Sequence, residues 1–465
     1  MTQSKTAPGS NTGLSRGLWS SRFAFILAAT GSAVGLGNIW KFPYVTGENG
    51  GGAFVLVYLA CIAVIGVPIM MAEVFIGRNG RHNPITSMRL VAERNLKSPA
   101  WRISAVIGMI AAFAILSFYS VIGGWAASYI GHAAAGDFTG GNAESIGNLF
   151  GGLLASPIQL LAWHTLFMAL VVVVVSQGLK KGLERAVTIL MPALFLLLLV
   201  AVGYATTTGH FGEAVSFLFT PNFSALTIQG VLIALGHAFF TLSLGMAIMM
   251  AYGSYLPNDI PIGRTAVSVA LMDTVVALLA GLAIFPLVFA NGLEPGAGPG
   301  LIFQTLPLAF GNMPMGSLFG ALFFILLLFA AWTSGISLLE PVVEWAEENT
   351  NMNRTGSAIV VGILCWLLGI ASILSLNVWS DITPLGMFAA FEGKTIFDLL
   401  DYVTANILLP LSGLLTAIFV GWFVAKESLK ADLNLHGTAF SLWLNLLRYV
   451  TPVAVVIVFF YNLLG

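Results

Sequence analysis

Eleven apolar runs, each about twenty residues long and so able to cross a hydrocarbon core, divide this chain of 465 residues. They lie near 23–45, 53–77, 103–132, 157–177, 185–205, 227–254, 265–290, 316–340, 357–376, 395–424 and 438–463. Lipid offers the backbone no hydrogen-bond partner, so runs of this kind become helices and the chain an all-α membrane protein. Composition agrees: 8% of the residues are charged, against about 25% in soluble domains. The first twenty residues are polar, with no apolar core of a cleavable leader ahead of the first run. Cys61 and Cys365 both stand in apolar runs and read as buried small hydrophobes, with no disulfide or metal framework.

Basic residues orient the bundle. Of the 19 Lys and Arg, 17 fall on one side of the assigned runs, among them Arg78, Arg81, Arg89, Arg94, Lys97 and Arg102 between runs 2 and 3. Only Lys41 and Lys394 fall on the other. The side rich in Lys and Arg is the cytoplasmic one. The N-terminus is therefore expected in the cytoplasm and the C-terminus outside, in the inner membrane of a bacterium.

Two of the runs are poor helices. The first, FAFILAATGSAVGLGNIWKFP, carries Gly31, Gly35 and Gly37 in its middle, and each Gly costs about 1 kcal/mol against Ala within a helix. The sixth carries Thr241-Leu242-Ser243-Leu244-Gly245 at its centre. Open backbone at membrane depth is tolerated where it lines a cavity, and glycine is also a common packing contact between inert kinked helices. Runs 1 and 6 are the first members of two sets of five. Interrupted spans at corresponding positions of two halves point to an inverted-repeat transporter with its site at the midplane. The expected fold is two inverted repeats of five helices plus an eleventh, with helices 1 and 6 broken. The segments are 1–22 (cytoplasmic), 23–205 (first repeat), 206–424 (second repeat) and 425–465 (helix 11).

With Trp19-Ser20-Ser21-Arg22 leading into FILAATGSAVGLGNIWKFPY, ENGGGAF at 48–54, FFTLSLG at 239–245, LLAGLAIFP at 278–286 and AAWTSGISLLEP at 330–341, the chain resembles the neurotransmitter:sodium symporter family over nearly its whole length, in particular its bacterial amino-acid members. The resemblance implies two sodium sites. The first takes Ala33, Asn38, Thr241 and Asp273; the second takes Gly31, Val34, Ala330, Thr333 and Ser334. Read alone, a Thr-Ser pair in mid-span bonds back to its own helix. Asp273 stands where relatives commonly have Asn, and a carboxylate in an apolar span faces a functional cavity by default. Chloride-dependent relatives carry a Ser at the position of Ala277, so no chloride is expected. His237 replaces a usual Gln, and Tyr58 matches a Tyr of the chloride site. His237 either pairs with Asp273 and titrates or is satisfied within its own helix.

The resemblance also implies an amino-acid pocket. Amides near Leu36 and Gly37, at a half-helix N-terminus, suit a carboxylate, together with Tyr119. Gly35 stands where amine transporters carry an Asp, which argues for a substrate that brings its own carboxylate. Ala33, Phe240, Thr241, Ser243 and Ser334 would meet the amine, and Ile115, Phe240, Met246 and Leu338 the side chain. Lys41 and Asp401 match an outer ion pair, although Lys lacks the fork of Arg and also reads as a side chain reaching for the interface. Arg16 with Glu348, braced by Trp19 and Tyr255, match an inner gate. Gly182 and Pro192 in span 5 mark either local unwinding or a static kink. The implied function is sodium-coupled import of hydrophobic amino acids, with two sodium ions, an amino acid and the bilayer as partners and no nucleic acid. A channel or a non-transporting sensor of the same fold is the alternative, and no metal cluster or nucleophile–base pair supports an enzyme. Oligomeric state is left open by the sequence.

Overall fold

The computed structural model describes residues 17–296, 300–388 and 391–464. Among them the regular structure is helical, with one isolated backbone bridge between Gly51 and Pro221. Nine helices are long and apolar enough to cross a membrane unbroken: Gly52–Gly80 (span 2), Pro99–Ala135 (span 3), Pro157–Ser176 (span 4), Leu179–Thr206 (span 5), Ile262–Ala290 (span 7), Gly316–Asn349 (span 8), Arg354–Ser375 (span 9), Ile396–Phe423 (span 10) and Gly437–Tyr461 (span 11). Span 1 is the pair Arg22–Ala33 and Gly37–Glu48, bent by 51°. Span 6 is Ile228–Thr241 followed, after a break, by Ile248–Ser254. All eleven expected runs are thus helical, and both expected breaks are present.

Spans 3 and 8 form the middle of the bundle. Of their most apolar stretches 72% is buried, against 28% in span 5 and 33% in span 11, so the latter two belong to the outer ring. Local signals start the helices. Ser21 accepts the Ala24 amide at 3.1 Å to begin span 1, and Thr227 accepts the Gly230 amide at 3.0 Å to begin span 6. Where the chain opens, small residues on neighbouring spans make room. A Cβ on Gly108 of span 3 would lie 2.9 Å from the Gly245 carbonyl, and one on Gly66 of span 2 would meet Leu242 at 2.5 Å. Gly245 itself takes φ +72°, where glycine carries no steric penalty. A Cβ there would strike the Leu409 carbonyl of span 10.

Candidate functional site

At the break in span 1 the helix ends on Ala33. Val34 turns to extended backbone (φ −71°, ψ 98°) and winding resumes at Gly37. At the break in span 6 Ser243, Gly245 and Ala247 all take positive φ. The freed groups of the two breaks find each other. Ser243 Oγ donates to the Ser32 carbonyl at 2.9 Å, Ser334 Oγ of span 8 donates to the same carbonyl at 3.1 Å, and the Ser32 and Ser243 hydroxyls are 3.1 Å apart. On the far side of the span 6 break, the Gly245 amide donates to Glu73 Oε1 of span 2 at 2.8 Å. Ser32 and Glu73 hold the two breaks in place, and sequence reasoning did not single them out. A carboxylate alone in VPIMMAEVFIG was the available signal for Glu73.

A narrow cavity of about 20 Å³ sits between the breaks, lined by Ser32, Ala33, Gly35, Leu36, Gly37, Ile115, Tyr119, Phe240, Ser243, Met246, Ser334 and Leu338. Thr241, expected here, turns away toward Asp273, and Ser32 lines the wall in its place. One end of the cavity is polar: the Leu36 amide donates to the Tyr119 hydroxyl at 3.2 Å. The other end is apolar, with Ile115, Met246 and Leu338. Gly35 has no room for a side chain, since a Cβ would strike Ser334 Oγ and come within 2.9 Å of the Tyr119 hydroxyl. The volume holds about one water, so a larger guest enters only if the lining moves.

Beside this cavity lies a buried carboxylate with neutral partners. Asp273 is fully buried. Its oxygens accept from Asn38 Nδ2 at 2.8 Å, from Thr241 Oγ1 at 3.1 Å and from the Tyr58 hydroxyl at 3.4 Å. Asn38 Oδ1 in turn accepts the Gly35 amide at 3.2 Å. A buried charge is costly unless it is paired, and no cationic side chain bonds this one among the described residues. The cluster therefore suits a small hard cation, which takes oxygen ligands. His237 does not complete it. Both ring nitrogens lack a partner among the described residues, and the ring lies between Phe42 and Tyr58, with centroids 6.1 and 5.2 Å away. Both expectations for His237 are thus corrected: the Tyr58 hydroxyl takes the place at Asp273, and neither ring nitrogen bonds its own helix.

The residues expected to hold a second cation lie where span 1 meets spans 5 and 8. A Cβ on Gly31 would lie 3.5 Å from Thr333 Cβ and 3.0 Å from Met191 Sδ. Thr333 Oγ1 stands 3.1 Å from the carbonyls of both Phe329 and Ala330, donating back to its own helix. Val34 and Ala330 are buried at the same level. Gly182 lies in the wide first turn of span 5, Leu179–Glu184, and Pro192 inside the continuous helix that follows. The segment is wound in this structure, and a Cβ on Gly182 would collide with the Val174 carbonyl.

Outside the narrow cavity is a vestibule of about 490 Å³, lined by Trp40, Lys41, Phe118, Trp125, Asp398 and Asp401 among others. Leu36, Tyr119 and Phe240 line both spaces and partition them. Lys41 and Asp401 share the vestibule without the expected ion pair. The Lys41 ammonium sits 5.1 Å over the Phe240 ring instead, a cation–π contact open to a point charge. The opposite end is sealed. Trp19, 2% exposed, donates its indole N–H to the Tyr252 carbonyl at 3.0 Å and packs edge-on against Tyr252 and Tyr255. The Tyr252 hydroxyl meets Ser337 at 2.7 Å, and the Tyr255 hydroxyl donates to Glu340, which pairs with Arg354. Glu348 accepts from the Asn83 amide at 2.8 Å and faces His82 at 3.2 Å. Arg16, its expected partner, lies outside the described residues.

A model of the sodium:neurotransmitter symporter family matches residues 16–140 and 154–465. The chain is 42% identical to an uncharacterized sodium-dependent transporter, YhdH, of Bacillus subtilis (strain 168), over 96% of this chain and 97% of that one. It is 37% identical to an uncharacterized sodium-dependent transporter of Haemophilus influenzae, over 96% and 98%. Among solved structures, MhsT in complex with L-phenylalanine superposes with a TM-score of 0.87 at 43% identity, covering 96% of this chain and all of that one.

Proposed function

The chain belongs to the sodium:neurotransmitter symporter family, and on that premise we propose that it imports hydrophobic amino acids, coupled to two sodium ions, by alternating access. It is an integral membrane transporter and not an enzyme. The observation that carries the finer reading is the pocket's polarity. Gly35 leaves no side-chain carboxylate and no space for one, while the Leu36 amide and Tyr119 hydroxyl converge where a substrate carboxylate would bind. Ile115, Phe240, Met246 and Leu338 leave only apolar contacts for the side chain. The neighbour crystallised with L-phenylalanine supports a pocket that widens to an aromatic ring, and Met246, flexible and polarizable, suits such widening.

Sodium at Asp273, Asn38, Thr241 and Ala33 supplies the charge the buried carboxylate lacks. Sodium at Gly31, Val34, Ala330, Thr333 and Ser334 ties span 1 to span 8. Each cation moved inward gains about 2.3 kcal/mol per 100 mV. Asp273 also holds the place of a fixed anion, and Ala277 offers no hydroxyl, so transport runs without chloride. The Lys and Arg distribution supports a cytoplasmic N-terminus and an external C-terminus, in a bacterial inner membrane. The test is uptake of a panel of labelled amino acids into proteoliposomes, with sodium or potassium and with chloride or gluconate. Sodium-dependent, chloride-indifferent uptake of apolar amino acids is expected. Uptake without sodium, or flux without saturation, contradicts it. Joint replacement of Ala277→Ser and Asp273→Asn is expected to create chloride dependence.

A further inference from the structure

Away from the transport path, a cavity of about 420 Å³ opens between the short helix Lys426–Leu433 and the start of span 11. Lys426, Lys430 and Arg448 line it with Phe440, Ser441 and Asn445, and no carboxylate does. Among the described residues no carboxylate pairs with these cations. Lys426 makes no hydrogen bond or ion pair among the described residues, the Lys430 ammonium rests 5.3 Å over the Phe440 ring, and Arg448 donates its Nε to the Gly421 carbonyl. Of the two acids on the short helix, Asp432 is engaged by Arg78 and Asn79 at 2.9 and 2.7 Å, and Glu427 does not line the cavity.

The cavity's depth in the bilayer can be read from its rim. Trp422 and Tyr449, both exposed, pair edge-on at 5.4 Å, and the Arg448 guanidinium lies 5.4 Å over the Trp422 ring. Exposed Trp and Tyr mark the level where headgroups meet acyl chains. From there Val450, Val453 and Ile457 carry an exposed apolar strip up span 11. Three cations at headgroup level, at the foot of an apolar strip, form a basic pocket of the kind that takes lipid phosphates.

We propose that this cavity binds the phosphate headgroup of an anionic glycerophospholipid, whose acyl chains lie along span 11. The charge selects the headgroup, and the apolar strip selects a lipid over a soluble anion. The test uses the purified full-length protein in detergent, equilibrated with equal amounts of phosphatidylglycerol and phosphatidylcholine, with retained lipid counted by native mass spectrometry. The wild type is expected to retain phosphatidylglycerol preferentially. At about five-fold per basic residue near an anionic headgroup, the double variant Lys426→Gln/Lys430→Gln loses roughly 25-fold of that preference. Both lysines are exposed, so the variant is expected to fold, which its elution and melting temperature check. Lys394→Gln, on the other side of the membrane, keeps the full preference. Equal retention of the two lipids by the wild type overturns the proposal, as does an unchanged preference in the double variant. Displacement of the lipid by inorganic phosphate at the same concentration overturns the lipid assignment.

Discussion

The two ends of the central site are held shut by unequal means. On the inner side Trp19 is buried against both tyrosines of span 6, and hydrogen bonds run on from those tyrosines to Ser337 and to the Glu340–Arg354 pair of spans 8 and 9. On the outer side a single ring, Phe240, together with Leu36 and Tyr119, separates the cavity from an open vestibule, and Lys41 leans on that ring without pairing with Asp401. The N-terminal half of span 1 is thus bolted to the scaffold, and its C-terminal half borders space. Under the proposed alternating-access cycle, with the N-terminus in the cytoplasm, this is the outward-facing side of the balance. The difference teaches that, on the proposed cycle, opening inward is the step that must break buried packing, whereas the outer partition rests on Leu36, Tyr119 and Phe240 alone.

The largest expected effect comes from removing the inner bolt. Truncating a buried Trp costs about 3–5 kcal/mol, and every 1.4 kcal/mol is tenfold. Trp19→Ala is expected to move the population inward by about two to three and a half orders of magnitude, read as a longer distance between spin labels at Leu18 and Trp345. An unchanged distance breaks the comparison. Glu73→Leu comes next, because it strips the Gly245 amide of its acceptor and leaves a buried donor unmade, a cost of about 1–3 kcal/mol. A lower melting temperature together with weaker substrate binding is expected, and a variant as stable as wild type counts against Glu73 as the support of the span 6 break. Tyr252→Phe removes one hydroxyl contact with Ser337, worth about 0.5–1.5 kcal/mol. It is expected to lengthen the same spin-label distance in a small fraction of molecules. The smallest effect lies outside. Lys41→Arg supplies a fork facing Asp401 across the vestibule, and an ion pair in contact with water gains about 0–1 kcal/mol. Substrate dissociation to the outside should slow by no more than about five-fold. A large change would mean that the outer end is more firmly held than its contacts indicate.

Much of this architecture is legible in the sequence because the membrane removes alternatives. A twenty-residue apolar run in lipid has one backbone solution, and the glycines of span 1 and the polar break of span 6 stand out against it. Gly35, Tyr119 and the apolar lining of the pocket converge in space as the resemblance implies. What the sequence hid are contacts between distant positions. Ser32 gathers two hydroxyls at its carbonyl through backbone geometry that its side chain does not announce. Glu73 and Gly245 are separated by 172 residues, and a lone carboxylate signals a role without naming its partner. His237 pairs neither with Asp273, which Asn38, Thr241 and Tyr58 already satisfy, nor with its own helix, and only the packing reveals this. Lys41 and Asp401 align in sequence, yet their pairing depends on a side-chain conformation that the Phe240 ring captures.

The central claim is that the paired breaks form a site for a carboxylate-bearing substrate beside a buried carboxylate awaiting sodium. Equilibrium binding of labelled L-phenylalanine and of its decarboxylated amine, phenethylamine, to the purified protein tests it most directly, with each ligand measured in sodium and in potassium. The account predicts saturable binding of the amino acid in sodium only, and no binding of the amine in either salt. Comparable binding of the amine, or amino-acid binding that is indifferent to sodium, would contradict it.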